Sequence, residues 1–151
     1  MRNMPRLTIL IVDDDDGHTE LVRRNLLRVG IDNQIVALST GKLALDYVFG
    51  RGAYADRALH GELLILLDIN MPGLDGVEVL RQIKAHPTAR RIPVIMLTTT
   101  DNPREINRCY ELGCSVYITK PVDPAAFVEA VRRLGLFISV VSVPSQIEDK
   151  P

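Results

Sequence analysis

Five aspartates, a threonine and a lysine stand where short apolar runs end. Asp13, Asp14, Asp15 and Asp16 directly follow Leu7–Val12, and Asp68 directly follows Leu63–Leu67. Thr98 follows Pro93–Leu97, and Lys120 follows Ser115–Thr119. Carboxylates brought this close repel one another unless a cation sits between them. Oxygen-only ligation of this kind suits Mg²⁺, which takes one or two protein carboxylates and keeps several waters. Mg²⁺, an ammonium, a hydroxyl and an available carboxylate together make a phosphoryl-transfer site: the cations neutralise the equatorial oxygens while the carboxylate attacks in line. Asp14 and Asp68 are the pair expected to do this work. Asp15 and Asp16 read as helix-capping residues in a solvated turn.

For these groups to meet, the runs that carry them must lie side by side. Leu7–Val12, Leu63–Leu67 and Pro93–Leu97 are continuous apolar stretches, the pattern of strands buried on both faces of a parallel sheet. Gln34–Leu38 and Ser115–Thr119 are weaker strand candidates. Helical periodicity fills the intervals. Asp16 is expected to cap a helix running to about Val29, with Gly30 as its stop. A second helix runs from Thr40 to Phe49 and a third from Asp75 to about Ala85. Asn102-Pro103 and Asp123-Pro124 each read as an N-cap followed by Pro at the first helical position, opening helices to about Leu112 and Leu134. Five β-α pairs imply an α/β fold, a doubly wound five-stranded parallel sheet with helices on both faces, whose ligands bind at the carboxyl ends of the strands. The interval Gly50–Glu62 reads as a surface loop with few packing residues.

Composition narrows the function classes. The chain has 151 residues, 46% of them hydrophobic and 25% charged, with a formal net charge of −1, which fits one globular domain without a bulk attraction to nucleic acid or anionic membrane. No apolar run reaches the ~18 residues of a membrane span, and Met1-Arg2-Asn3-Met4-Pro5 lacks the apolar core of a signal peptide. Cys109 and Cys114 have no metal-binding or disulfide spacing, so they read as packing residues of a cytoplasmic protein. His18, His60 and His86 have no partner spacing and read as incidental.

The ordered set Ile11-Val12-Asp13-Asp14, Leu67-Asp68-Ile69-Asn70-Met71-Pro72-Gly73-Leu74-Asp75-Gly76, Pro93-Val94-Ile95-Met96-Leu97-Thr98 and Lys120-Pro121 resembles the receiver domain of two-component response regulators, over residues 6–134. The resemblance implies a flavodoxin-like receiver fold. It implies Asp68 as phosphoacceptor, with Asp14 binding Mg²⁺ directly, Asp13 mainly through water and Asn70 through its backbone carbonyl. It implies that Thr98 hydrogen-bonds the phosphoryl group, that Lys120 pairs with it, that Tyr117 is the switch aromatic and that the Lys120–Pro121 bond is cis. Asn70 and Thr100 fall where receivers vary their dephosphorylation rate. The partner so implied is a sensor histidine kinase.

Only 17 residues follow Leu134, too few for an effector domain, so a stand-alone receiver is expected, with output through contact with, or phosphotransfer to, a downstream protein. Arg51–Ala55 and the segment Leu136–Pro144 are similar to the phytochrome-associated response regulators, which implies a bacterial phytochrome kinase as donor. Residues 135–151 are expected to form a β-prone C-terminal arm that holds a homodimer, because the five-stranded domain offers no obvious place to bury Leu136, Phe137, Ile138, Val140, Val141 and Val143. Two other classes compete. Asp14-Asp15-Asp16-Gly17-His18-Thr19 superficially resembles the start of a haloacid-dehalogenase-type phosphatase, and a phosphorylation-independent interaction module would use the same fold. The first leaves Asp68 and its Met-Pro-Gly sequel unexplained, and the second leaves the whole set Asp14, Asp68, Thr98 and Lys120 without a role.

Overall fold

The computed structural model describes residues 7–57 and 62–139. The strands are β1 Leu7–Val12, β2 Gln34–Leu38, β3 Glu62–Leu67, β4 Val94–Thr98 and β5 Val116–Thr119. They form one parallel sheet in the order β2-β1-β3-β4-β5. The helices are α1 Asp16–Arg28, α2 Gly41–Phe49, α3 Gly76–Ala85, α4 Pro103–Leu112 and α5 Pro124–Ile138.

Why the strand runs are apolar throughout follows from the two cores. Leu10, Val12, Leu63, Ile65, Leu67, Val94 and Met96 project to one side of the sheet, where α2, α3 and α4 cover them. Their alternates Ile9, Ile11, Leu64, Leu66, Ile95 and Leu97 project to the other, under α1 and α5. A central strand flanked this way has no wet face.

Helix caps decide where each helix begins. Thr40, Asp75, Asn102 and Asp123 accept hydrogen bonds from Leu43 N, Glu78 N, Arg104 N and Ala126 N, as their residue types predict. At α1 the cap is Asp15 and not Asp16: its carboxylate accepts from His18 N at 3.1 Å, so Asp16 is the first helical residue.

Two further expectations are corrected. Helix α5 does not stop at Leu134. Gly135, Leu136, Phe137 and Ile138 continue it, and Ile138 is buried in the domain's own core. Gly135 belongs there because α1 passes too close for a side chain: a Cβ on it would lie 2.5 Å from Val29 Cγ2. The start of the supposed arm is therefore helix, and Val140–Pro151 lie outside the described residues. Likewise the first half of the Gly50–Glu62 interval is packed down. Tyr54 meets Tyr47 edge-on at 5.0 Å, Arg57 lies over the same ring, and the buried carboxylate of Asp46 holds Lys42 and Arg51.

Candidate functional site

Sheet register brings the site residues level with one another. Val12 pairs with Leu67, so Asp13 and Asp68, each one residue further on, emerge side by side. Thr98 pairs with Thr119, which sets Lys120 just above the end of β4, its N–H bonded to Thr98 O at 2.6 Å. Asp13, Asp14 and Asp68 each offer a carboxylate oxygen to a common volume within which these atoms lie no more than 4.8 Å apart. Asp13, Asp68, Thr98 and Lys120 are buried, while Asp14 and Asn70 face solvent.

The two buried carboxylates are oriented by backbone donors. Asp13 Oδ1 accepts from Asp15 N at 2.9 Å, and Asp68 Oδ1 accepts from Ile69 N at 2.8 Å and Asn70 N at 3.4 Å. That leaves Asp13 Oδ2 and Asp68 Oδ2 to face the Lys120 ammonium, at 2.6 and 3.6 Å. Gly76 makes the turn after Asp68 possible: a Cβ there would sit 2.0 Å from Asp68 O.

Two buried carboxylates thus share one ammonium, with the exposed Asp14 carboxylate beside them. Burial first, and then the neighbouring Asp68 charge, push the Asp13 carboxyl above its ordinary range against the pull of Lys120 and the Asp15 N–H. Two carboxylates buried this close together make a site that further positive charge would stabilise. A hard divalent cation fits that donor set, since every side-chain ligand on offer is an oxygen and one edge of the cluster is open to water through Asp14.

The remaining members join two loops. Asn70 Nδ2 donates to Thr100 Oγ1 at 2.8 Å, and Thr100 N lies 3.4 Å from Thr98 Oγ1. Tyr117, half-buried, donates its hydroxyl to Thr100 O at 2.6 Å. The expected set is therefore brought together, with Thr100 as the shared node. One implied feature is absent: among the described residues no peptide bond is cis, and Lys120–Pro121 takes the trans form that is intrinsically favoured. One residue had been read as incidental and is not: His18 Nδ1 lies 3.1 Å from Lys120 Nζ. Its signal in the sequence is position alone, in the first turn of the helix that follows the aspartates. His60 lies outside the described residues. His86 serves its own turn, accepting from Thr88 N and Ala89 N.

Sheet order, strand-end acids and the lysine that closes over them define a receiver, and the comparison with known families agrees: the response regulator receiver domain matches residues 9–132, and the chain belongs to that family. Among its relatives is the response regulator Rcp1 of Synechocystis, 34% identical over 142 residues, which span 93% of this chain and 95% of that protein. The crystal structure of the Mn²⁺-bound form of Rcp1 superposes with a TM-score of 0.83 at 33% identity, over 91% of this chain and 98% of that one. A response regulator receiver domain from Rhodospirillum rubrum is 47% identical with a TM-score of 0.85, over 91% of this chain and 97% of that one. The phosphorylated cyanobacterial phytochrome response regulator RcpA is 34% identical with a TM-score of 0.84, covering 91% and 98%. The chain is thus a receiver homologous to phytochrome response regulators. Neither the phosphatase nor the phosphorylation-independent reading gains support from these matches. Among the described residues no helix is long and apolar enough to cross a membrane.

Proposed function

We propose that the protein is a phosphorylation-dependent signalling receiver that takes a phosphoryl group on Asp68 with Mg²⁺ bound at Asp13, Asp14 and Asp68. The observation that carries this reading is that Asp68 turns Oδ2 to the Lys120 ammonium at 3.6 Å, in a cluster with the Asp13 and Asp14 carboxylates, while Oδ1 is held by backbone N–H groups. Oδ2 attacks the phosphorus of a phosphohistidine or acyl phosphate, a P–O bond forms, and the leaving group departs with its electron pair. The product is an aspartyl phosphate that water later hydrolyses. Mg²⁺, when bound, neutralises phosphoryl oxygens. Asn70 offers the metal its backbone carbonyl, its side-chain amide being engaged by Thr100. Lys120 pairs with the phosphoryl group and Thr98 hydrogen-bonds it, while Tyr117 reports the change to the surface of α4, β5 and α5.

The donor is a sensor histidine kinase, and the likeness to Rcp1 and to the phytochrome response regulator RcpA supports a bacterial phytochrome kinase. The protein acts in the cytoplasm as a regulator, with output through a downstream effector or phosphotransfer protein. A homodimer through the C-terminal segment is supported by the exposure of Leu136 and Phe137, beside an apolar groove of about 350 Å³ lined by Ile95, Val116, Ile118, Ala130, Leu134 and Phe137. Its occupant is a second copy of the chain.

Incubation with acetyl phosphate and Mg²⁺ tests the central claim. One acid-labile phosphoryl group per chain is expected, lost in Asp68→Asn and lost on chelation of the metal. Native labelling of Asp68→Asn refutes the assignment. Sedimentation of the native chain against the double variant Leu136→Asp/Phe137→Asp tests the dimer, with equal association of the two as the refuting result.

A further inference from the structure

Lys120 is a buried cation with three N–H donors to place. Asp13 Oδ2, at 2.6 Å, takes one. Asp68 Oδ2, at 3.6 Å, is beyond hydrogen-bond range and exerts only charge attraction. His18 Nδ1, at 3.1 Å, takes a second. An ammonium can only donate, so Nδ1 must accept, and the imidazole is neutral with its proton on Nε2. A protonated ring would set two cations 3.1 Å apart.

The ring does not reach this position by chance. Its backbone N–H is tied to the Asp15 cap at 3.1 Å, and its ring meets that of Phe127 of α5 in a T-shaped contact at 5.4 Å and 85°. Helix start and helix packing therefore aim Nδ1 at Lys120 from two sides.

Asp13 serves two masters. It is the strongest partner of Lys120 and also a member of the cation site, so a divalent ion that draws on Asp13 weakens the lysine's hold. A second carboxylate in place of His18 would hold the ammonium but cancel the charge the incoming phosphoryl oxygens need. A neutral acceptor holds it and leaves the charge intact. We propose that His18 is a positioning residue, the neutral acceptor that keeps the Lys120 ammonium beside Asp68 Oδ2 while Asp13 is engaged by metal, and so sets the phosphorylation rate. This rests on Asp68 being the phosphoacceptor.

The test uses the full chain. In His18→Leu, which has no acceptor, labelling by acetyl phosphate at saturating Mg²⁺ falls about tenfold, the usual worth of one hydrogen bond to a charged group. His18→Asn restores an acceptor at the position of Nδ1 and labels within about twofold of the native rate, by the same measure. A native rate in His18→Leu, or an Asn variant as slow as Leu, overturns the proposal. A readout without metal or turnover comes from ¹⁵N NMR of the imidazole: Nδ1 is unprotonated in the native protein, and its resonance moves in Lys120→Met. A proton found on Nδ1 overturns the proposal even if His18→Leu does not fold. Asp68→Asn separates the two claims. If it still labels, the phosphoacceptor reading fails. If labelling needs Asp68 while His18→Leu is native, only the role of His18 fails.

Discussion

Asn70 and Thr100 are joined across the mouth of the site: the amide of the first donates to the hydroxyl of the second at 2.8 Å, linking the loop after β3 to the loop after β4. The Thr100 carbonyl is held in turn by the Tyr117 hydroxyl on β5. A displacement of Asn70 by metal or phosphoryl group therefore has a direct mechanical route to the edge strand. In Thr100→Val the first link is cut and the second, which uses the backbone, survives. The Asn70 side-chain amide protons should shift in NMR, the Tyr117 hydroxyl bond should persist, and stability should fall by about 1 kcal/mol at most, since the bond is exposed to water. Loss of the Tyr117 bond in this variant would show that the two links are not independent.

Removing Lys120 should separate folding from metal binding. Lys120→Met leaves Asp13 and Asp68 buried without their cation, and a buried charge stripped of its partner costs about 3 kcal/mol. Urea denaturation in EDTA measures this. The same change removes a positive charge that competes with any divalent ion. Mg²⁺ affinity by calorimetry should therefore rise at least about fivefold, the value of a unit charge at 4 Å even in a water-like dielectric. Weaker Mg²⁺ binding in Lys120→Met would mean that the lysine assembles the cation site and does not compete with it.

Gly76 is expected to be intolerant of the smallest side chain. The methyl of Gly76→Ala would overlap Asp68 O, so either α3 or the loop after β3 must move. A stability loss of about 3 kcal/mol, at the upper end for overpacking, is expected, together with weakened labelling of Asp68. An alanine variant with native melting and labelling would contradict the close approach.

Tyr117 provides a pH signature. Burial, with the charges of Cys109, Glu105, Asp101 and Asp68 acting in the same direction, pushes its phenol up to about 12. An acid whose pKa is raised on folding binds its proton more tightly in the native state. Its contribution is thus complete below pH 10 and is lost as pH climbs towards 12. The difference in ultraviolet titration between the native protein and Tyr117→Phe should show a midpoint near 12. A midpoint at the ordinary phenol value would place the hydroxyl in water and not on Thr100.

Much of this molecule is legible from local chemistry. Unbroken apolar runs announce strands covered on both faces, and Thr40, Asp75, Asn102 and Asp123 announce helix starts because a short polar side chain can satisfy an orphan N–H two or three residues on. The acids and the lysine fall at strand ends, so once the sheet is parallel they share an edge whatever the side-chain details. Asp15 and Asp16 show the resolution of such reading: both are good caps, and only the backbone conformation at Asp15 decides between them.

The remainder depends on partners far away in sequence. Gly135 reads as the first residue of a separate arm, yet it lies inside α5, where Val29 of α1 leaves no room for a Cβ. Tyr54 and Arg57 read as loop, and they pack because Tyr47 presents its ring to both. His18 carries no pattern at all. It becomes part of the site because α1 begins one residue after Asp15, α5 brings Phe127 against the ring, and β5 delivers Lys120, 102 residues away in the chain, to its Nδ1. The sequence by itself determined which groups stand at the strand ends, since residue type and hydrophobic period act within a few residues. Which of those groups touch was decided by register and helix packing, because hydrogen bonds act over about 3 Å and only the assembled sheet brings distant residues that close.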